Sequence, residues 1–124
     1  MQVVVNDTDI TNYIVEGTYK MEAQDSYESW KDANGVEHRI IITSKVSGSF
    51  DLVCSNRSDS ITLPDFLALW NGAVDNGVVT VGVYVINQGE LKAIDAYYEI
   101  SSKEHIRSGD GSLIDVLTIS ISER

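Results

Sequence analysis

The sequence predicts a mainly β chain of the α+β class: an antiparallel β-sandwich or barrel with one flanking α-helix over about residues 63–75 and a projecting hairpin around residues 28–42. Three observations predict it. Apolar residues recur at every second position in the long run from Arg39 to Cys54 and again from Leu91 to Ser101 and from Leu113 to Ile121, as half-buried strands require. Clusters of Gly, Asn, Asp and Ser separate those segments. Only one segment carries its apolar residues at helical spacing.

Val3-Val4-Val5, Asn6-Asp7-Thr8-Asp9 and Ile10 read as a first strand closed by a tight polar turn. Tyr13 to Met21 follows as a mixed strand, with Ile14, Glu16, Thr18 and Lys20 alternating against Val15, Gly17, Tyr19 and Met21. Ala23 to Ser29 is polar and reads as irregular, with Tyr27 and Trp30 as its hydrophobic anchors. The segment from Trp30 to Arg39 is the strongest hairpin signal in the chain. A two-residue Asn34-Gly35 loop would set Asp32 against Glu37, an unfavourable like-charge pair. A three-residue loop with Gly35 left-handed in a bulge sets Lys31 across from Glu37 and Trp30 across from His38, and is the expected form.

From Arg39 to Cys54 one parity is mainly apolar (Ile40, Ile42, Val46, Phe50, Leu52, Cys54) and the other mainly polar (Arg39, Thr43, Lys45, Ser47, Ser49, Asp51), which is period two with one face buried. This run is more than twice the usual strand length of about 5–6 residues, so a bend or bulge is expected near Ser47-Gly48, with the excess projecting past the body. Thr62 caps the helix, Pro64 is tolerated in its first turn, and Asp65 sits near the positive end of its dipole. Leu63, Phe66, Leu67, Trp70 and Val74 form its apolar stripe, and Asn76-Gly77 is expected to stop it. Val78 to Ile86 is apolar on both parities, as a strand covered on both faces would be. Asn87-Gln88-Gly89-Glu90 turns it into a strand from Leu91 to Ser101, Ser108-Gly109-Asp110-Gly111 makes another turn, and Leu113 to Ile121 is the last strand.

Nineteen acidic against nine basic residues give a net charge of −10, evenly spread, so direct nucleic-acid binding is not expected; phosphates would be repelled rather than neutralised. The spread of acid reads first as a device for solubility, and alternatively as a like-charged surface that lets DNA pass without adhering. The N-terminal residues have no secretory pattern and no apolar run approaches the ~20 residues that cross a bilayer, so the expectation is a cytoplasmic protein without a membrane partner. Cys54 reads as a buried strand residue.

Motifs for chemistry are sparse. There is no glycine-rich phosphate loop, nucleophile elbow or paired-cysteine metal motif, and His38 and His105 lack partners at ligand spacing. No cofactor, metal or catalytic residue is expected. Asp7-Thr8-Asp9 resembles the start of a calcium loop without its later glycine and glutamate, and reads as turn residues. Asp95, Glu99 and Asp115 could group only as a glycosidase-like carboxylate set, and Tyr97, Tyr98 and Trp70 could line a groove for a small ligand or peptide.

Three stretches together resemble a family of small prophage proteins encoded among siphophage tail genes. Val5-Asn6-Asp7-Thr8-Asp9-Ile10-Thr11 is similar to that family's opening Asn-Gly-Val-Asp-Ile, with Asp7 in place of the glycine. Trp30 to Arg39 is similar to its Asn-Ala-Asn-Gly…Arg turn before a long strand, and the terminal Glu123-Arg124 to its closing Glu-Arg. The resemblance implies a structural component of a phage tail, tube-like or at the tail tip, that moves from the cytoplasm of the bacterial host into the virion. It carries over no catalytic residues. The expected function is therefore self-assembly into a homo-oligomer, and with other tail proteins, through β-edges and a hairpin interface of Trp30, Lys31, Asp32, Asn34, Gly35, Glu37 and His38. The alternative is a non-enzymatic ligand- or peptide-binding β module.

Overall fold

A computed structural model describes residues 2–124, apart from the side chains of residues 41–43. The chain has the expected mainly β, α+β class. Its strands are Val3–Val5 (β1), Thr8–Asp9 (β2), Lys20–Lys31 (β3), Glu37–Ser55 (β4), Val74–Asp75 (β5), Val78–Val85 (β6), Glu90–Arg107 (β7) and Leu113–Glu123 (β8), with one α-helix, Leu63–Gly72 (α1). All pairings are antiparallel, in the order β2-β1-β6-β7-β8-β4-β3, with β5 also on β6.

This single sheet curls until its last strand meets its middle. Ile86 N–H donates to the Met21 carbonyl at 2.9 Å and the Tyr19 hydroxyl to the Tyr84 carbonyl at 2.6 Å, so the start of β3 returns to the end of β6. Burial of Tyr19 pushes its pKa up to about 12, so the hydroxyl remains a donor. The enclosed face holds Val3, Val5, Met21, Val46, Phe50, Leu52, Val81, Val83, Ile94 and Ile119 in one cluster. Helix α1 covers the rest of it through Phe66 and Trp70. Thr62 caps the helix, its Oγ1 accepting from Asp65 N–H. Cys54 is fully buried in this core, and burial pushes its thiol up to about 11.

Several local expectations need correction. The helix ends at Gly72 rather than near 75, and Asn76 and Gly77, at φ 51° and 77°, form the tight turn of the β5–β6 hairpin. Two consecutive left-handed residues are what a two-residue hairpin demands, and Asn-Gly supplies them more readily than any other pair. Tyr13 to Met21 is not one strand: Thr11–Tyr13 is a 3-10 turn, Ile14 makes an isolated bridge to Leu52, and pairing begins at Lys20. The segment from Ala23 to Ser29, expected to be irregular, is regular strand within β3. Both its faces are wet, so backbone pairing to β4 fixes it without any apolar alternation.

The register runs through Ser47-Gly48 without the expected shift. Gly48 serves a close approach instead: a Cβ there would lie 1.8 Å from the Lys20 carbonyl oxygen. The bulge falls further out, where Tyr27 faces residue 41 and Ser26 faces residue 43, leaving residue 42 as the extra one in β4. Strand β6 is not covered on both faces. Val79, Val81, Val83 and Val85 are buried, whereas Thr80, Gly82 and Tyr84 face outward.

Candidate functional site

Strands β3 and β4 stay paired well beyond the body, and two side chains mark where the body stops. Asn87 grips Ala23 at both main-chain groups, its Oδ1 accepting from Ala23 N–H at 2.9 Å and its Nδ2 donating to Ala23 O at 2.7 Å. Glu123 Oε1 accepts from Val46 N–H at 2.9 Å. Ala23 and Val46 are cross-strand partners. One row of the sheet is thus capped at both edges by side chains acting as the next strand would. Past that row, from Gln24 to Lys45, β3 and β4 pair only with each other, and every described side chain of β3 is exposed.

The tip is built by the expected turn. Asp32 N–H donates to Val36 O and Gly35 N–H to Asp32 O, both at 3.0 Å, and Gly35 sits at φ 79°. The Asp32 carboxylate accepts from Asn34 N–H at 2.9 Å and Val36 N–H at 3.0 Å, and its other oxygen lies 2.9 Å from His38 Nε2. Its pKa is lowered, chiefly by the bond from His38 and then by that from Val36. Lys31 stands opposite Glu37, and Trp30 opposite His38, their rings stacked at 5.4 Å and 17°. All seven predicted interface residues therefore gather at one end of the ribbon.

Alternation divides the ribbon into two unlike faces. One carries Trp30, His38, Ile40, Glu28 and Asp32. The other carries Tyr27, Ser29, Lys31, Glu37 and Arg39, with the Arg39 guanidinium 5.5 Å above the Tyr27 ring. Tyr27, Trp30, Val36 and Ile40 are each about half exposed (47–54%). The alternation expected to bury Ile40 fails because the core ends at Val46; the side chain of Ile42 lies outside the described residues. Val36, Arg39 and Ile40 were not among the predicted interface residues, and Tyr27 was read only as a local anchor. An exposed apolar residue has the same sequence signature as a buried one.

The other predicted clusters do not form. Asp95 accepts from Thr80 Oγ1 at 2.7 Å, Glu99 stands opposite Ser120, and Asp115 bonds His105 Nδ1. Asp115 faces His105, ten residues along β7 from Asp95, or roughly 33 Å at strand rise. Among the described residues no three potential ligands group around a metal position. Trp70 is fully buried and meets the Tyr98 ring edge-on at 5.4 Å, whereas Tyr97 is exposed on the opposite face of β7, so these three line no common groove. Asp7 and Asp9 act as turn residues: Asp7 takes the left-handed conformation at φ 62°, and Asp9 Oδ1 accepts from Thr11 N–H at 2.9 Å.

A concavity that the sequence did not suggest lies on the outer face of β1, β6 and β7. Val4, Gly82 and Ala93 are in register across the three strands, so its floor is a row of small side chains. Leu91 stands at one end and Thr80 at the other, with Asn6, Asp7, Gly72 and Ala73 along one side, enclosing about 640 Å³. Gly82 was the available signal, but inside an apolar run it reads as a buried strand residue.

Comparison with protein-family models, with curated proteins and with solved structures returns no match. No helix among the described residues is long and apolar enough to cross a membrane.

Proposed function

We propose that this chain is a structural subunit that works by self-association through the β3–β4 ribbon, and, on the sequence resemblance, that it is a component of a phage tail. The ribbon carries the proposal. A two-stranded β-ribbon is marginal in water by itself. This one keeps its outer edges unpaired from Asp25 to Lys31 and from Glu37 to Ser44, and holds a stacked Trp30 at its end. Open edges template pairing with another chain, and an ordered aromatic loses little entropy when it is buried in a partner. Trp30, Lys31, Asp32, Asn34, Gly35, Glu37 and His38 are the proposed interface residues. Other copies of the chain and other tail proteins are the proposed partners, and the virion the proposed destination. The net charge of −10 disfavours direct contact with nucleic acid and suits a surface past which DNA slides.

Sedimentation velocity across a wide concentration range, with negative-stain electron microscopy of the heaviest species, tests this. The expected result is growth in mass toward rings or tubes, lost on Trp30→Ala or on deletion of residues 31–37. A species that remains monomeric throughout and is stabilised by sugars or peptides would replace self-assembly with a ligand-binding role.

A further inference from the structure

We infer that Asn76 is a site of spontaneous deamidation, selected by the fold from three dipeptides of the same sequence. The inference stands apart from the self-assembly reading. Asn34-Gly35, Asn71-Gly72 and Asn76-Gly77 are the Asn-Gly pairs of the chain. Each is open to the same reaction, because a glycine has no Cβ to obstruct its main-chain nitrogen as it approaches the preceding Asn Cγ. At Asn76 the Gly77 nitrogen bonds to Cγ, the Cγ–Nδ2 bond breaks, and Nδ2 leaves as ammonia with the proton that the Gly77 N–H gives up. The cyclic imide then takes up one water. Opening at the side-chain carbonyl restores the main chain with an aspartate; opening at the main-chain carbonyl leaves an isoaspartate, whose main chain runs through Cγ. No oxidant, reductant or cofactor enters.

Exposure does not choose among the three, since all three asparagines are exposed. What chooses is whether the glycine N–H is already donating and whether the asparagine main chain can rotate to bring that nitrogen onto Cγ. At the ribbon tip both are blocked. Gly35 N–H donates to Asp32 O at 3.0 Å, and Asn34 N–H donates to the Asp32 carboxylate at 2.9 Å, which Val36 N–H and His38 share. Rotation at Asn34 would break that network. Asn71 and Gly72 are the last two residues of α1, so the Gly72 N–H belongs to the helical ladder. Ala73 N–H continues it to Trp70 O at 3.0 Å, and rotation at Asn71 would unwind the turn that seats the buried Trp70. Asn76 and Gly77 are instead the whole loop between the paired Asp75 and Val78. Among the described residues no acceptor engages the Gly77 N–H. Strand β5 is two residues long, so rotation at Asn76 disturbs little beyond the Asp75–Val78 pair.

The two products differ in what they do to the turn. Aspartate accepts the left-handed conformation that Asn76 holds at φ 51°, so it keeps the hairpin and adds one negative charge. Isoaspartate lengthens the main chain by one carbon in a loop whose two residues must both be left-handed, and β5 loses its register on β6. The turn lies at the Val78 end of β6, whereas the ribbon leaves the body beside Asn87 beyond the Val85 end.

Peptide mapping by mass spectrometry of the unaltered protein, aged in mildly alkaline buffer with and without denaturing urea, tests the inference. In the native protein the gain of one mass unit at Asn76 is expected to be at least about fivefold faster than at Asn34 or Asn71, the factor that one net amide hydrogen bond imposes. Both aspartate and isoaspartate should appear there, each carrying one heavy oxygen when the ageing is done in oxygen-18 water. In urea, where the turn and helix bonds are gone, the three rates should converge. Native rates that are equal at the three sites, or that put Asn34 or Asn71 first, would overturn the inference. So would an Asn76 that stays intact in the native protein while all three convert in urea, or a ranking that persists unchanged in urea and therefore owes nothing to the fold.

Discussion

The β3–β4 ribbon and the β7–β8 hairpin begin from the same local chemistry and end in opposite states. Each closes through a three-residue loop with a left-handed glycine, Gly35 at φ 79° and Gly111 at φ 88°, and the same pair of main-chain bonds, Asp32 with Val36 and Gly35 in one, Ser108 with Ser112 and Gly111 in the other. Each carries a bulge partway down. In β7–β8, however, β4 runs alongside β8 as far as Ser55 opposite Ile114, and Asn56 ties the tip, accepting from Leu113 N–H and donating to Gly111 O. The extra residue of its bulge is Lys103, whose ammonium lies 2.7 Å from the buried Asp51 carboxylate on β4, which also accepts from Thr118 Oγ1. The β3–β4 ribbon has no such third strand, and its caps at Ala23 and Val46 end the sheet rather than extend it. Turn chemistry makes a hairpin; a third strand decides whether the hairpin belongs to the body.

Breaking the base of the ribbon should have the largest effect. Gly48→Ala drives a Cβ into the Lys20 carbonyl, and a midpoint shift in urea equivalent to about 3 kcal/mol is expected because backbone on both sides has to move. Next is the anchor of the other hairpin. Asp51→Ala strips the partners from Lys103 and Thr118, and about 1–3 kcal/mol should be lost. The bonds from Lys103 and Thr118 lower the Asp51 pKa, so its contribution is present above the ordinary carboxylate range and declines as pH falls through the folded value. An acid titration of stability should therefore show a loss below about pH 4 that Asp51→Ala removes. Smaller still, Asn56→Ala should cost about 1 kcal/mol and speed amide exchange at Gly111 and Leu113. Trp30→Ala sharpens the contrast from the other side. Its ring is half exposed and stacks on His38 across the ribbon, so monomer stability should change by no more than about 0.5 kcal/mol while association falls.

What the sequence made legible follows the range of the interactions concerned. The tip was readable because Asp32, Asn34 and Gly35 decide it within five residues, and the buried run of Phe50, Leu52 and Cys54 because one face of β4 meets the core. The class of fold and the start of α1 at Thr62 were readable for the same local reasons. Strand β3 past Ala23 was not, since a strand wet on both faces has no alternation to display. The helix stop at Asn76-Gly77 was misplaced because that dipeptide serves helix ends and hairpins alike. The caps from Asn87 to Ala23 and from Glu123 to Val46 join residues 64 and 77 apart in sequence, and no local pattern encodes them. The concavity was hidden because it is made by absent side chains, and only the register of Val4, Gly82 and Ala93 brings those gaps together.

Amide hydrogen exchange followed against protein concentration tests the central contrast most directly. In dilute solution the amides of Asp25–Lys31 and 37–44 should exchange far faster than those paired along β7 and β8, and raising the concentration should slow the ribbon amides while leaving β7 and β8 unchanged. Ribbon amides that exchange as slowly as β7 and β8 when dilute, or that stay fast at every concentration, would contradict a free ribbon shaped to join a second copy.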